Sequence, residues 1–577
     1  MKKRDLPHAD LSIVLSGEAG QGLQTLEQLM LKVFKQAGYH VFSYSEFMSR
    51  IRGGNNSTQI RIASRNVQSY RRRIDIFVPL HAGALERFKN RITHETVILG
   101  DKSVFDSEYI DHGFPAVDIP VSEMARNVGG EVYSNVLLVG IFAALFAVDF
   151  ELVEERVRSM FASAGDERLQ KNIHAARVGY DRGTHLLKAG QVFPVIPRTE
   201  DAAKWHLLNG VDAISFGSLA GGCTFVSSYP MSPSTNVLVF LAGCSQELGV
   251  VVEQAEDEIS AVNMAMGSWY AGGRALVTTS GGGYALMVEG MSLAGCIESP
   301  LVIHLGQRPG PATGLPTRTE QADLEHVLYS GHGEFARLIL APGTVEEGLH
   351  LTRHAFYMAD KYQIPVIILT DQYYLESNHC VKDLKIPKAL QERFIIQTDN
   401  TYKRYRLTDS GISPRGIPGF GEGLVCVDSD EHDEQGHITE DFDMRTAMVN
   451  KRLKKIKTME KDSIPATLKG SPDSRYLVVG WGSTRTVVEE ALDALDRSDI
   501  SFLHFAQVYP LHQGSLDIIR RARKRIIIEN NATAQFEKLI RIATGIYFDE
   551  QILQYDGMPF MLEDVMERLD ALPKEDR

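Results

Sequence analysis

The sequence predicts a multi-domain α/β protein built on mostly parallel sheets, and three observations carry that reading. Short β-branched or apolar runs alternate along the chain with longer segments whose apolar residues recur at helical spacing. Glycine-rich turns join these elements, as at Gly17–Gly22, Gly272–Gly273 and Ser280–Gly283. A length of 577 residues is enough for about three domains. The net charge of −13 argues against a general nucleic-acid or membrane-surface binder and leaves local clusters such as Arg71-Arg72-Arg73 as the candidate contacts. The longest apolar run, Val136 to Val148, is too short to span a bilayer. The N-terminus lacks the apolar core of a signal peptide, so the expectation is a cytoplasmic chain. Cys223, Cys244, Cys296, Cys380 and Cys426 are scattered and form no CxxC pair. This excludes a locally encoded zinc or iron–sulfur motif, and the cysteines read mostly as buried small hydrophobes.

Residues 1–190 form the first α/β domain. A strand at Leu11–Leu15 leads through SGEAGQG into a helix with Leu26, Leu29, Met30 and Val33 on one face. Strands follow near Tyr39–Tyr44, Thr58–Ala63, Ile74–Pro79 and Thr96–Leu99, with helices near Tyr133–Val148 and Lys171–Lys188. The glycine order is G-x-x-G-x-G, not the G-x-G-x-x-G of a dinucleotide turn. Gly20 and Gly22 either bring backbone N–H groups to a phosphate or allow tight helix–strand packing. The loop SRIRGG contributes Arg50 and Arg52. Residues 191–200, with two prolines and little periodicity, read as a linker.

The middle domain, 201–380, starts with a helix near Asn209–Ala220 and a strand at Cys223–Ser227, then the turn Tyr229-Pro230-Met231-Ser232-Pro233-Ser234-Thr235. Ser232 and Pro233 suit the cap and first turn of a helix. Val250–Val252 reads as a short buried strand. Glu256, Asp257 and Glu258 then stand where a helix begins, an end that favours negative charge. A carboxylate there lies at the mouth of a parallel sheet, where such sheets place ligands. A strand at Ala275–Thr279, the turn Ser280–Gly283 opening a helix, and a strand at Leu301–Leu305 follow. The run from Gln307 to Thr317 is too rich in glycine and proline for regular structure and forms a loop at a strand's carboxyl end. Strand Leu338–Ala341, helix Val345–Tyr362 and strand Pro365–Thr370 close the domain.

Residues 381–470 lose this rhythm. They hold an acidic run with His432 and His437, read as a solvated loop in preference to a metal site, and a basic helix at Asn450–Lys457. The last α/β unit, 471–577, begins at Tyr476–Thr484, continues through Phe502–Gln507 and Arg525–Glu529, and ends in a helix near Gln535–Thr544.

Several of these stretches together resemble the 2-oxoacid:ferredoxin oxidoreductases, with the family's gamma region fused in front of its alpha region. GEAGQG and SRIRGG followed by TQIRIAS carry the gamma likeness. YPMSPST, EDEISAVNMAMGSWYAGGRALVTTSGGG and QRPGPATGLPT with QADL after it carry the alpha likeness, and VVGWGST is similar to the transketolase C-terminal domain. The resemblance implies a pyrimidine-type thiamine diphosphate domain in the middle of the chain. It also implies coenzyme A-dependent oxidative decarboxylation of a 2-oxoacid, most similar in the fused arrangement to the 2-oxoglutarate branch. Neither a GDG motif nor a four-cysteine set is present. The implied partner is therefore a beta subunit holding Mg²⁺, the pyrophosphate and a [4Fe-4S] cluster, which passes electrons to ferredoxin within a dimer of heterodimers.

Site residues follow from the resemblance one by one. Glu258, nine residues before Gly267, matches the glutamate that hydrogen-bonds the cofactor's aminopyrimidine and favours its imino form. Tyr229, Pro230 and Gly282 belong to the implied cofactor site. Ser232 stands where the family turn offers a hydroxyl to the substrate carboxylate, Arg308 matches an arginine that pairs with the oxoacid, and Thr313 is a candidate for substrate contact. Gly20, Gly22, Arg50 and Arg52 are the implied holders of coenzyme A phosphates. Pyruvate or branched-chain 2-oxoacids are the alternative substrates. A dinucleotide-binding or non-catalytic α/β subunit is the alternative function.

Overall fold

The computed structural model describes residues 10–48, 53–104, 113–190 and 196–574. They form two compact units. The first takes residues up to Leu208 with Glu376–Leu384 and Met561–Asp564; the second takes Asn209–Leu375, Lys385–Phe560 and the residues from Val565.

The first unit is an eight-stranded mixed sheet in the order Ala116–Asp118, Val97–Gly100, Ile76–Pro79, Asp10–Ala19, Gly53–Ala63, His40–Glu46, Asn378–Val381, His206–Leu208. The first four strands are mutually parallel and the remaining pairings are antiparallel. Alternation along Asp10–Ala19 sends Leu11, Ile13 and Leu15 into one core and Val14 into another with Phe77, Phe88 and Ile98, so both faces are covered. The apolar run beginning at Val136 is a buried helix, Ser134–Leu145, packed on Asp166–Lys188. Glycine permits this packing: a Cβ at Gly179 would lie 2.0 Å from the carbonyl oxygen of Leu137, and one at Gly140 would lie 2.1 Å from that of Ala176. No single helix among the described residues is long and apolar enough to cross a membrane.

Three expectations change here. Arg71, Arg72 and Arg73 are engaged by Asp10, Glu563, Asp564 and Asp75, so the cluster is an internal ion network. The described end of the 191–200 segment is docked, with Ile196 buried and Thr199 donating to Ser64 O and Gly38 O. His206–Leu208 and Asn378–Val381, at the two borders of the predicted middle domain, are strands of the first sheet. The buried carboxylate of Glu27 helps recruit the second of them through Asn378 and Ser43.

The second unit holds two sheets over one continuous core. The seven-stranded sheet runs Gln507–Tyr509, Leu338–Leu340, Pro365–Asp371, Leu301–Gln307, Ala275–Thr279, Phe225–Ser228, Val251–Gln254, parallel except at its first pair. The five-stranded sheet runs Thr467–Lys469, Ile500–Phe505, Tyr476–Trp481, Lys524–Glu529, Glu550–Leu553. Only Ala506 separates a strand of one sheet from a strand of the other, which is why the two share a core. Val251–Gln254 is a correction to the expected buried strand: it is the last strand of its sheet, and Val251 is 60% exposed.

The region after Leu384 holds its shape through buried ions. Arg274 and Arg415 both pair with Asp360, and Lys451 and Lys455, from a helix that extends over Phe442–Met459, both reach Glu298. The acidic run is a solvated loop only in part: Ser429, Asp430, Gln435 and His437 are exposed, but its middle is held down. His432 is fully buried against Tyr405, with ring centroids 3.9 Å apart, and Glu431 bridges Arg445 and Arg452. Of the cysteines, Cys223 and Cys380 are buried; Cys244, Cys296 and Cys426 are only half-buried.

Candidate functional site

The strand Val251–Gln254 delivers the chain to Asp257, whose extended backbone and side chain cap the helix Glu258–Tyr270: Oδ1 accepts from Ser260 N at 2.7 Å. With the cap supplied by Asp257, the next carboxylate is released from that duty and turned inward. Glu258 is 2% exposed, whereas Glu256 lies at the surface. Oε1 of Glu258 is buried without a hydrogen-bond partner among the described residues. Burial raises the pKa of this carboxyl above the usual carboxylate range.

The turn Ser280–Gly283 crosses directly over it. A Cβ on Gly283 would sit 2.3 Å from Glu258 Oε1 and 2.2 Å from Thr279 Oγ1, so only glycine lets the turn approach the carboxyl. Gly283→Ala is expected to cost about 1–3 kcal/mol of stability by overpacking. The check is denaturant unfolding of the variant against Gly282→Ala, since Gly282 is exposed and has nothing nearer than 4.0 Å around such a Cβ.

Those two neighbours of Gly282, Met231 Sδ and Ala312 O, show that three loops converge at this point. The first is the turn from Tyr229, which is 40% exposed, through half-buried Pro230. Its Ser232–Pro233 peptide is cis, and Pro233 packs where a Cβ on Gly306 would be 3.0 Å away. Ser232 does not cap the following helix, which begins at Thr235 without a side-chain cap. Its side chain is exposed, and its carbonyl accepts from Arg308 Nη1 at 2.8 Å. Ser234, buried like Pro233, bonds back to Met231 O at 2.8 Å. Beneath it, Thr278, His304 and Thr370 are linked by two 2.8 Å hydrogen bonds, and burial pushes His304 down to about 3, which keeps it neutral.

The third loop carries Arg308 and the exposed Thr313. Gln307 fixes its start, donating to Thr370 O at 3.1 Å and accepting from Asp323 N at 3.0 Å. Its far end is tied down by Thr319 N to Gly557 O and by a reciprocal pair between Gln321 and Asn530. Burial lowers the pKa of Arg308, partly offset by the charge of Asp323. Two carboxyl groups that sequence reading did not single out lie here. Burial pushes Asp323 up to about 6 against the pull of Arg308; burial together with Asp323 and Asp556 pushes Glu320 up to about 7. Their only sequence signal was the TEQADL stretch itself.

In the first unit, Gly20 and Gly22 have positive φ, and the helix Leu23–Gln36 starts with no acidic residue in its first turn. The turn borders a cavity of about 400 Å³ that is also lined by Pro79, Gly100, Ser134 and Asn135. Asn135 braces it, donating to Gln21 O at 2.7 Å. Arg50 and Arg52 lie outside the described residues.

Comparison with known proteins identifies the family. Residues 217–451 match the family described as pyruvate flavodoxin/ferredoxin oxidoreductase, thiamine diphosphate-binding, and residues 12–182 match pyruvate ferredoxin/flavodoxin oxidoreductase. The 2-oxoacid:ferredoxin oxidoreductase subunit alpha of a Sulfolobus species is 30% identical, covering 98% of this chain and 97% of its own. The 2-oxoacid:ferredoxin oxidoreductase 1, subunit alpha, of Sulfurisphaera tokodaii is 30% identical over 98% of both chains. The solved 2-oxoglutarate:ferredoxin oxidoreductase from Magnetococcus marinus, with 2-oxoglutarate, coenzyme A and succinyl-CoA bound, is 29% identical with a TM-score of 0.89, covering 98% of this chain and 99% of that one. The chain belongs to the thiamine-dependent 2-oxoacid:ferredoxin oxidoreductases, as an alpha subunit.

Proposed function

We propose that the chain is the alpha subunit, with a fused gamma region, of an enzyme that converts 2-oxoglutarate and coenzyme A to succinyl-CoA and CO₂, or runs that reaction in reverse. A beta subunit would hold Mg²⁺ and a [4Fe-4S] cluster and hand the electrons to ferredoxin. The observation that carries this reading is the orphaned, buried oxygen of Glu258 beneath the glycine turn. A buried carboxyl without a partner is costly, and one at the mouth of a parallel sheet suits a ligand nitrogen. The residues fit thiamine diphosphate: Glu258 to hold its aminopyrimidine, with Tyr229, Pro230 and Gly282 at the rim. When bound, that cofactor supplies the electron sink for decarboxylation.

The chain's own residues then divide the work. Glu258 presents its buried, unpaired Oε1 to the ring nitrogen, and burial favours the protonated form of the carboxyl more than in water. Arg308 presents a planar fork to the substrate carboxylate, oriented by its bond to the carbonyl of Ser232. Ser232 Oγ and Thr313 add hydroxyl donors from the facing loops. Gly20 and Gly22 offer backbone N–H groups at a helix N-terminus to coenzyme A phosphates, with Arg50 and Arg52 assigned to the same task from sequence. The 2-oxoglutarate assignment draws on the likeness to the Magnetococcus marinus enzyme; pyruvate and branched-chain oxoacids are its competitors.

The test is an activity screen of the chain co-expressed with its partner, using several 2-oxoacids, coenzyme A and an artificial one-electron acceptor. The highest kcat/KM is expected for 2-oxoglutarate; a preference for pyruvate would overturn that substrate. Purified alone, the chain is expected to be colourless and inactive, because it has neither a GDG motif nor a cysteine set. A stoichiometric iron–sulfur absorption band in the lone chain would refute this division of labour.

A further inference from the structure

Strand Leu301–Gln307 is buried along its whole length, and at its centre stands His304, a polar ring where a strand covered on both faces is ordinarily apolar. Its neighbours across the sheet are polar as well. Nδ1 lies 2.8 Å from Thr278 Oγ1 on strand Ala275–Thr279, and Nε2 lies 2.8 Å from Thr370 Oγ1 on strand Pro365–Asp371. A buried row of this kind is costly unless each hydrogen finds an acceptor, and a fully satisfied row is rigid.

The row has one polarity. Thr278 Oγ1 also stands 3.4 Å from the carbonyl oxygen of Ser234, which can only accept. The described residues offer Thr370 Oγ1 no acceptor other than His304 Nε2. Every hydroxyl hydrogen is therefore placed only if Thr370 donates to Nε2, Nδ1–H donates to Thr278, and Thr278 donates to Ser234 O. The other tautomer would strand the Thr370 hydrogen and release the Ser234 carbonyl. Burial keeps the ring neutral, so the pattern holds through the working pH range.

Both ends of the row reach the loops of the candidate site. Ser234 closes the turn that carries Ser232 by bonding Met231 O, and the carbonyl of Ser232 accepts from Arg308. At the other end, the Thr370 carbonyl accepts from Gln307, whose Oε1 accepts from Asp323 N and so sets where the Arg308 loop begins.

We propose, resting on the assignment of Ser232 and Arg308 to the substrate carboxylate, that His304 is a positioning residue for that carboxylate: as the Nδ1–H tautomer it ties the turn bearing Ser232 to the same strand, Pro365–Asp371, that fixes the loop bearing Arg308. The spacing of the two carboxylate donors is thereby set from beneath. A contact made to substrate and transition state alike shows in KM more than in kcat.

The experiment is steady-state kinetics of the assembled, thiamine-loaded complex with 2-oxoglutarate, or with pyruvate if that proves to be the substrate, alongside thermal midpoints. The amide nitrogen of Asn takes the place of Nδ1, and that of Gln the place of Nε2. His304→Asn keeps the bond to Thr278, and its KM is expected within about threefold of wild type. His304→Gln and His304→Leu lose that bond, and KM is expected to rise about ten- to a hundredfold, with kcat changed less. A merely structural role gives the opposite order, because Gln fills the space of the ring better than Asn does. KM near wild type in His304→Gln, or as high in His304→Asn as in His304→Leu, overturns the inference. Should the His304 variants not assemble, Thr278→Val is expected to show the same rise and Thr278→Ser to stay near wild type; no rise in Thr278→Val overturns the inference equally. Arg308→Ala separates the two claims. If it binds like wild type, the carboxylate assignment falls and this inference with it; if it loses binding while His304→Leu keeps the wild-type KM, only the present inference falls.

Discussion

Glu258→Gln is expected to lower kcat/KM of the assembled enzyme by about 10²–10⁴, the range of a lost acid–base group. The amide keeps the volume beneath Gly283 and so leaves the turn in place, but it cannot hold and release a proton at the buried position. Glu256→Gln, one cap residue away and exposed, should stay near wild type. The reverse pattern would shift the assignment across the Asp257 cap. Stability should move the other way. The folded-state pKa of Glu258 is raised by burial, so the native state loses stability as pH rises from the ordinary carboxylate range through that raised value. A side chain that cannot ionise escapes that cost. The thermal midpoint of Glu258→Gln at pH 8 should therefore equal or exceed wild type while activity collapses, a combination that misfolding does not produce.

Arg308→Ala is expected to cost roughly 3–5 kcal/mol in kcat/KM, about two to three and a half orders of magnitude, because a substrate carboxylate then enters a partly dry site without its cation. Arg308→Lys should fall between. An ammonium keeps the charge but cannot present a planar fork while also donating to the carbonyl of Ser232. If Arg308 meets the carboxylate beside the ketone, 2-oxoglutarate and pyruvate should suffer equally. A loss confined to 2-oxoglutarate would move Arg308 to the distal carboxylate, and no loss on either would return it to the surface.

Much of this was legible in the chain. The β-branched runs located the parallel strands from Phe225 to Asp371, because a strand buried on both faces must be apolar throughout. Glu258, Gly282 and Arg308 came through the resemblance; the structure adds a capped helix start for Glu258, a close backbone approach at Gly283 beside Gly282, and an anchored loop for Arg308. What stayed hidden depended on partners remote in sequence. That Val251 stands exposed follows from its rank in the sheet, which no local pattern encodes. His432 looked solvated beside acidic neighbours, and only Tyr405, Arg445 and Arg452 explain how that run is held. The region after Leu384 lacked periodicity because ions such as Arg274–Asp360–Arg415, not repeated hydrogen-bonded elements, order it. Asp323 was passed over because the glycine turn packed against it lies about forty residues earlier in the chain.

The loop bearing Arg308 ends in the reciprocal bonds between Gln321 and Asn530, with Gln321 also reaching the carbonyl of Trp481. Its far anchor is therefore the C-terminal sheet, a module to which no site residue is assigned. Such a module cannot be discarded or exchanged in evolution as an independent cassette, since whatever replaced it would have to offer the same two edges to the loop. Insertions between Gln307 and Thr319 would have to keep both anchors in register. Changes of substrate preference are thereby steered toward single side-chain replacements along a loop of fixed length.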